Sequence, residues 1–198
     1  MDLIKIVENN KAHILNFFKN KNIYIKNIDE IIERIIVEVG KKRDYPYAKI
    51  DKENPYKIII SEDIDEKDIY KWINHEMLHV ISNNTSTVDD THVGGVIIEV
   101  KEKDIWIGQY LNEAITEYVN QQIINSKYND YYDRYIEALE YIINIIGEDI
   151  VLKAYFNNNL YLITEELKKK TNKNDDAIMK FIDLIDHLYD NETYEIKL

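Results

Sequence analysis

Cysteine is absent from the sequence. That excludes disulfides, a thiol nucleophile and the thiolates that hold most structural zinc, so any metal must sit on nitrogen and oxygen ligands. Proline and glycine are scarce, two and five in 198 residues, and no repeat or Ser/Gly/Pro-rich stretch divides the chain. A chain of this length forms one domain, or one domain of two lobes, with a core that needs no staples. Long apolar runs are also missing. Charges interrupt each run well short of a bilayer span, and the opening Met-Asp-Leu-Ile-Lys-Ile-Val-Glu lacks the basic-then-apolar pattern of a leader. Basic residues are outnumbered, 25 Lys and Arg against 37 Asp and Glu, for a formal charge of −12. Such a field repels phosphate backbones and anionic lipid, so no nucleic acid or membrane partner is expected, and a soluble, cytoplasmic chain is.

What is present is mostly helical periodicity. Leu3–Asn20 carries apolar residues at helical spacing, with a break expected near Asn9-Asn10. Asn27 with Glu30 reads as a capping box, opening a helix whose stripe runs from Ile28 to Val39 and stops at Gly40. Residues 47–50 and 56–61 read as short strands around the turn Asp-Lys-Glu-Asn-Pro. A second long helix is expected from Ile64 or Asp65 to Ile81, then a polar loop, a strand over Val93–Val100 and a helix from Gly108 to Asn125. Further helices follow near 129–146, 148–156, 159–169 and 174–189, with Gly147 and Asn157-Asn158-Asn159 as breaks and no strand past 127.

The helix over 64–81 carries His75-Glu76-Met77-Leu78-His79. Residues four apart on a helix lie one above the other, so His75 and His79 offer two ring nitrogens to a single ion. Glu76 stands one position round, where a carboxylate serves as general base toward water activated by the metal. Coincidence would leave two core-edge histidines beside a solvated glutamate. The third ligand is open among downstream carboxylates and His92. Ser82 and Thr85 stand where a metzincin needs Gly and His, which removes that class. Glu113 stands out because Glu117 follows one turn later, and two like charges on one helix face are destabilising without a shared partner.

Asn112-Glu113-Ala114-Ile115-Thr116-Glu117, taken with the histidine motif, resembles the glutamate helix of thermolysin-like gluzincins, in outline over residues 60–120. The resemblance implies Glu113 as the third zinc ligand and Glu117 as the acceptor for the outer nitrogen of His75. It implies a zinc-dependent metallopeptidase, an endopeptidase or an aminopeptidase-like hydrolase, acting on peptide or protein substrates. The fold it implies is α+β and mostly helical: a zincin-like upper lobe over 1–127, with a small sheet, a backing helix and the active-site helix, then an all-helical C-terminal lobe over 128–198. Two departures mark a different branch. The second acid is Glu117 where thermolysin relatives carry Asp, and the gap from His79 to Glu113 is long, 113 − 79 = 34.

Gluzincins also use a Tyr or His to stabilise the oxyanion. Tyr110, Tyr131, Tyr132, Tyr135 and His92 are candidates, and 16 tyrosines leave the choice open. Substrate is expected to lie along an exposed strand edge, Lys57–Ile60 or an earlier strand. Three rival readings remain. One is a zinc-binding but latent or silent zincin-like protein. In that case the helical tail covers the cleft, or forms a homodimer through the C-terminal stripe Phe181, Ile182, Ile185 and Leu188. Another is a helical interaction protein with an accidental histidine pair. The last is a non-haem iron site, since two histidines and a carboxylate also form a facial triad.

Overall fold

The computed structural model describes residues 2–41, 47–83, 95–100, 105–126, 132–188 and 198; of 98–100 and 105 it describes the backbone alone. The elements are α1 (Leu3–Asn20), α2 (Ile28–Arg34), β1 (Ile36–Gly40), β2 (Ala48–Ile50), β3 (Lys57–Ser61) and α3 (Glu66–Asn83). They continue with β4 (Ile98–Val100), β5 (Ile105–Ile107), α4 (Gln109–Ile124), α5 (Asp133–Ile146), α6 (Glu148–Phe156), α7 (Leu160–Thr171) and α8 (Asp175–Asp186). The chain is thus mostly helical with a small sheet, an α+β protein. Among the described residues no strand follows residue 126, and no helix is long and apolar enough to cross a membrane.

Several expectations need correction. α1 runs unbroken through Asn9-Asn10: Asn10 is buried and its Nδ2 donates to the Tyr70 carbonyl, 3.1 Å away on α3, which engages the amide nitrogen outside its own helix. Asn27 caps nothing with its side chain. It adopts the left-handed conformation, which Asn tolerates, and the capping box does not form.

The expected backing helix ends at Arg34. Ile35 turns extended, and Ile36–Gly40 pairs in parallel with Lys57–Ser61 as β1. Ile-Ile-Val-Glu-Val fits helical and strand periodicities alike. Its β-branched residues lose less freedom in a strand, and β3 takes up the backbone hydrogen bonds that a helix would have made internally. Ile36 and Val39 are left about half exposed on the edge.

The sheet order β1-β3-β2 makes β3 the centre, so Lys57–Ile60 is not an exposed edge. β2 is the antiparallel edge, and it packs on α3. Of the expected strand over 93–100 only 98–100 is a strand; 95–97 is not strand, and 93–94 lie outside the described residues. Its partner β5 was not expected from the sequence.

Buried side chains from both ends of the chain make one core. α4 lies within it, touching α1, α3, α5, α6 and α8. Phe18 on α1 meets Phe156 on α6 edge-on at 4.9 Å. Phe181, Ile182, Ile185 and Leu188 are all at most 5% exposed, so that stripe is spent on the chain's own core and offers no free face.

The start of α4 is fixed from the far end of the chain. Gly108 precedes the helix with φ +86°, and a Cβ there would come within 2.5 Å of the Val96 carbonyl oxygen, so the position requires glycine. Gly108 has no side chain to cap the first turn. Asp186, the last residue of α8, does it instead: its carboxylate accepts the Gly108 N–H at 2.6 Å and the Tyr110 N–H at 2.8 Å. Asp186→Ala is expected to lower the unfolding free energy by about 1–2 kcal/mol in urea titrations. Asp186→Asn should recover only part, because its amide nitrogen cannot accept the second N–H. Wild-type stability in both variants would show that this cap contributes nothing.

Candidate metal centre

α3 and α4 pack side by side, and the crossing is pinned by a buried amide pair in which Asn74 Nδ2 donates to Asn120 Oδ1 at 2.8 Å. Each helix turns a polar face into this crossing. From α3 come His75 and His79, 2% and 9% exposed; from α4 come Asn112, Thr116 and Glu117, each at most 2% exposed, with Glu113 half-buried beside them.

Three of these side chains converge on one point. The Nε2 atoms of His75 and His79 lie 3.2 Å apart. Glu113 Oε2 is 3.3 Å from His75 Nε2, and Glu113 Oε1 is 3.2 Å from His79 Nε2. Donors held at about 2.0–2.1 Å from one ion in a tetrahedral array stand roughly 3.3–3.4 Å apart, which is close to these edges. Two neutral imidazoles that turn lone pairs on each other at this range repel unless a proton or a metal ion lies between them. The donor set therefore fits a metal ion, and these three residues form a cluster able to hold one.

An outer layer orients the donors. His75 Nδ1 is 3.1 Å from Glu117 Oε2, so its N–H donates outward and Nε2 keeps a lone pair for the ion. Glu117 is itself held by Asn120 Nδ2 at 3.1 Å and Gln121 Nε2 at 3.2 Å. Both acids of the α4 motif thus face His75. Glu76 stands in the field of His75, His79 and Glu113. Burial pushes its carboxyl above the usual range and Glu113 adds to this, against the pull of the two imidazoles.

Burial opposes charge on His75, but hydrogen bonds to Glu113 and Glu117 outweigh it and raise the imidazole to about 10. Burial likewise pushes Glu113 up, but His79 and His75 together hold it well below the ordinary carboxylate range. The proton on His75 thus offsets part of the carboxylates' charge.

Of the tyrosines, the structure brings Tyr132 to the centre. Its ring stacks over His75 at 6.0 Å, and its hydroxyl donates to Glu113 Oε2 at 3.4 Å. Burial, Glu113 and Glu117 push the phenol far above its ordinary value, so it stays a donor. Tyr135 packs in the core, stacked with Tyr110 at 4.5 Å. Tyr131 and His92 lie outside the described residues. His13 meets Tyr70, and His187 lies 3.9 Å from Asp183. Sequence reasoning left Tyr132 unranked and missed Asn112, Thr116 and Tyr155. Only the first two carry a signal, being neighbours of the two glutamates.

Next to Glu113 an open cavity of about 410 Å³ is lined by Ile97, Trp106, Gln109 and Tyr110. On the other side Tyr47, just before β2, stacks on Trp72 at 4.3 Å, and Trp72 meets His75 edge-on at 5.9 Å. No family model, curated protein or solved structure matches this chain.

The raised His75 makes metal uptake pH-dependent. Metal-free His75 keeps its proton up to about pH 10, whereas an imidazole that gives Nε2 to a metal has lost it. Affinity should therefore rise with pH, by about tenfold per unit for each proton released, and titration calorimetry in buffers of different ionisation enthalpy should count at least one proton at pH 7. Stability runs the other way: His75 stabilises the metal-free fold fully below pH 6.5, and that contribution is lost as pH rises through about 10. Zinc affinity that is flat from pH 6 to 9 would contradict this account.

Proposed function

We propose that this chain is a zinc-dependent metallopeptidase. The observation that carries the reading is the convergence of His75, His79 and Glu113 at 3.2–3.3 Å edges, with Glu76 on the same helix as the histidines and in the field of all three. The carboxylate of Glu76, next to His75 on the same helix, favours zinc over a facial-triad iron, which needs no neighbouring base.

Bound zinc supplies Lewis acidity, lowering the pKa of water toward neutrality and polarising a peptide carbonyl. The chain's own residues do the rest. Glu76 takes the proton of the attacking water and delivers it to the leaving nitrogen, and its raised carboxyl pKa suits both tasks near neutral pH. Tyr132, kept protonated, turns its hydroxyl from Glu113 toward the oxyanion that forms on the substrate carbonyl. Substrate adds as a strand beside β2, the outer strand of the sheet among the described residues, near the stacked Tyr47 and Trp72. A side chain flanking the scissile bond enters the cavity between Trp106, Tyr110 and Ile97.

Two substitutions separate binding from chemistry. Glu76→Gln should keep zinc at one per chain while kcat on quenched-fluorescence peptides falls by about 10²–10⁴. Tyr132→Phe should lower kcat about a hundredfold or more, again with zinc retained. Equal cleavage by wild type and Glu76→Gln removes Glu76 as the base. A zinc-loaded wild type that cleaves no peptide removes the peptidase reading.

A further inference from the structure

Glu117 serves His75, yet no carboxylate faces the outer nitrogen of His79 among the described residues. The two groups within reach of His79 Nδ1 are Asn112 Nδ2 and Thr116 Oγ1, each at 3.5 Å. Asn112 cannot turn its oxygen to the ring, because Oδ1 already accepts the Val96 N–H at 3.1 Å. Its nitrogen side is a donor only. If His79 gives Nε2 to a metal, its proton sits on Nδ1, and the acceptor left for it is the Thr116 hydroxyl.

That hydroxyl is set up to accept. Its own hydrogen goes to the Asn112 carbonyl at 2.8 Å, so its lone pairs are free for incoming donors. One comes from Tyr155, whose hydroxyl lies 2.6 Å away and whose ring is fully buried on α6. Tyr155 also meets Ser82, whose single hydroxyl hydrogen is shared between the phenol oxygen and the His79 carbonyl 3.1 Å away. A buried polar cluster of Ser82, Tyr155 and Thr116 thus lies against both the backbone and the imidazole of His79.

We propose that Thr116, held by Tyr155, is the positioning partner of His79: it accepts the Nδ1 proton and fixes the tautomer that presents Nε2 to the metal. The two ligand histidines then have unequal partners, a carboxyl for His75 and a neutral hydroxyl pair for His79. Through Tyr155 the C-terminal helices become part of the metal centre. The inference rests on His79 as a metal ligand and stands whether or not the chain cleaves peptides.

The test is zinc affinity of the untagged full-length chain by competition with a fluorescent chelator, together with the visible spectrum of the cobalt(II)-loaded protein. Thr116→Val keeps the shape and removes the acceptor; it should weaken zinc binding about 10–100-fold and shift the cobalt bands. Thr116→Ser should restore both to wild type, which a merely steric role would not predict. Tyr155→Phe should also weaken zinc, by less, because Thr116 remains. Wild-type affinity in Thr116→Val and Tyr155→Phe overturns the proposal, as does a Ser variant as weak as the Val variant. Should Thr116→Val not fold, Tyr155→Phe decides alone, with unchanged affinity as the refuting result. A wild type whose zinc binding is unaffected by His79→Ala refutes the metal centre itself, and this proposal with it.

Discussion

The crossing of α3 and α4 brings three carboxyl groups, Glu76, Glu113 and Glu117, against two imidazoles in a largely buried place. Carboxylates out of water cost several kcal/mol each unless a positive charge and hydrogen bonds compensate them. Everything nearby answers to that demand. The proton drawn onto His75 is one answer, and a divalent cation at the convergence of His75, His79 and Glu113 is a fuller one, since it satisfies all three donors at once. The amides of Asn120 and Gln121 are spent on Glu117 and the hydroxyl of Tyr132 on Glu113. A helical crossing built only for packing would have filled these positions with leucine.

The demand also explains why the sequence showed this part of the molecule so clearly. Side chains that meet across two helices at i and i+4 spacing have to be written as fixed intervals, and the structure brings His75, His79, Glu113 and Glu117 together, with Glu76 in their field. Helical periodicity likewise gave α3, α4 and the helices after 132 to within a few residues. What periodicity could not resolve was Ile35–Val39, where a short β-branched run fits either period and the deciding partner, β3, lies some twenty residues on. β5 was hidden for a similar reason: three residues carry no period, and the strand exists only because β4 pairs with it.

The remaining parts of the site come from long range. Tyr132 and Tyr155 reach the centre from beyond α4, and Asp186 caps α4 from residues still further on. No local pattern encodes such contacts: Tyr155 fits the apolar stripe of α6 equally well as ordinary core, and Tyr132 stands just before α5 among other tyrosines. The C-terminal helices are therefore a poor guide to function when read alone. In space they bring Tyr132 and Tyr155 to the candidate metal centre and cap the helix that carries Glu113.

Glu117 shows how a long acid is held in a buried site. A glutamate has one more rotatable bond than an aspartate and more freedom to lose when it is held in place. Here Asn120 and Gln121, one turn further along the same helix, grip both of its oxygens, so the longer side chain arrives at His75 Nδ1 already restrained. Asn120 in turn accepts from Asn74, the residue next to His75. The circuit Asn74, Asn120, Glu117, His75 closes across the two helices, so a shift of α3 against α4 that stretched one of its bonds would strain the others. That closure couples the spacing of the helices to the aim of the imidazole.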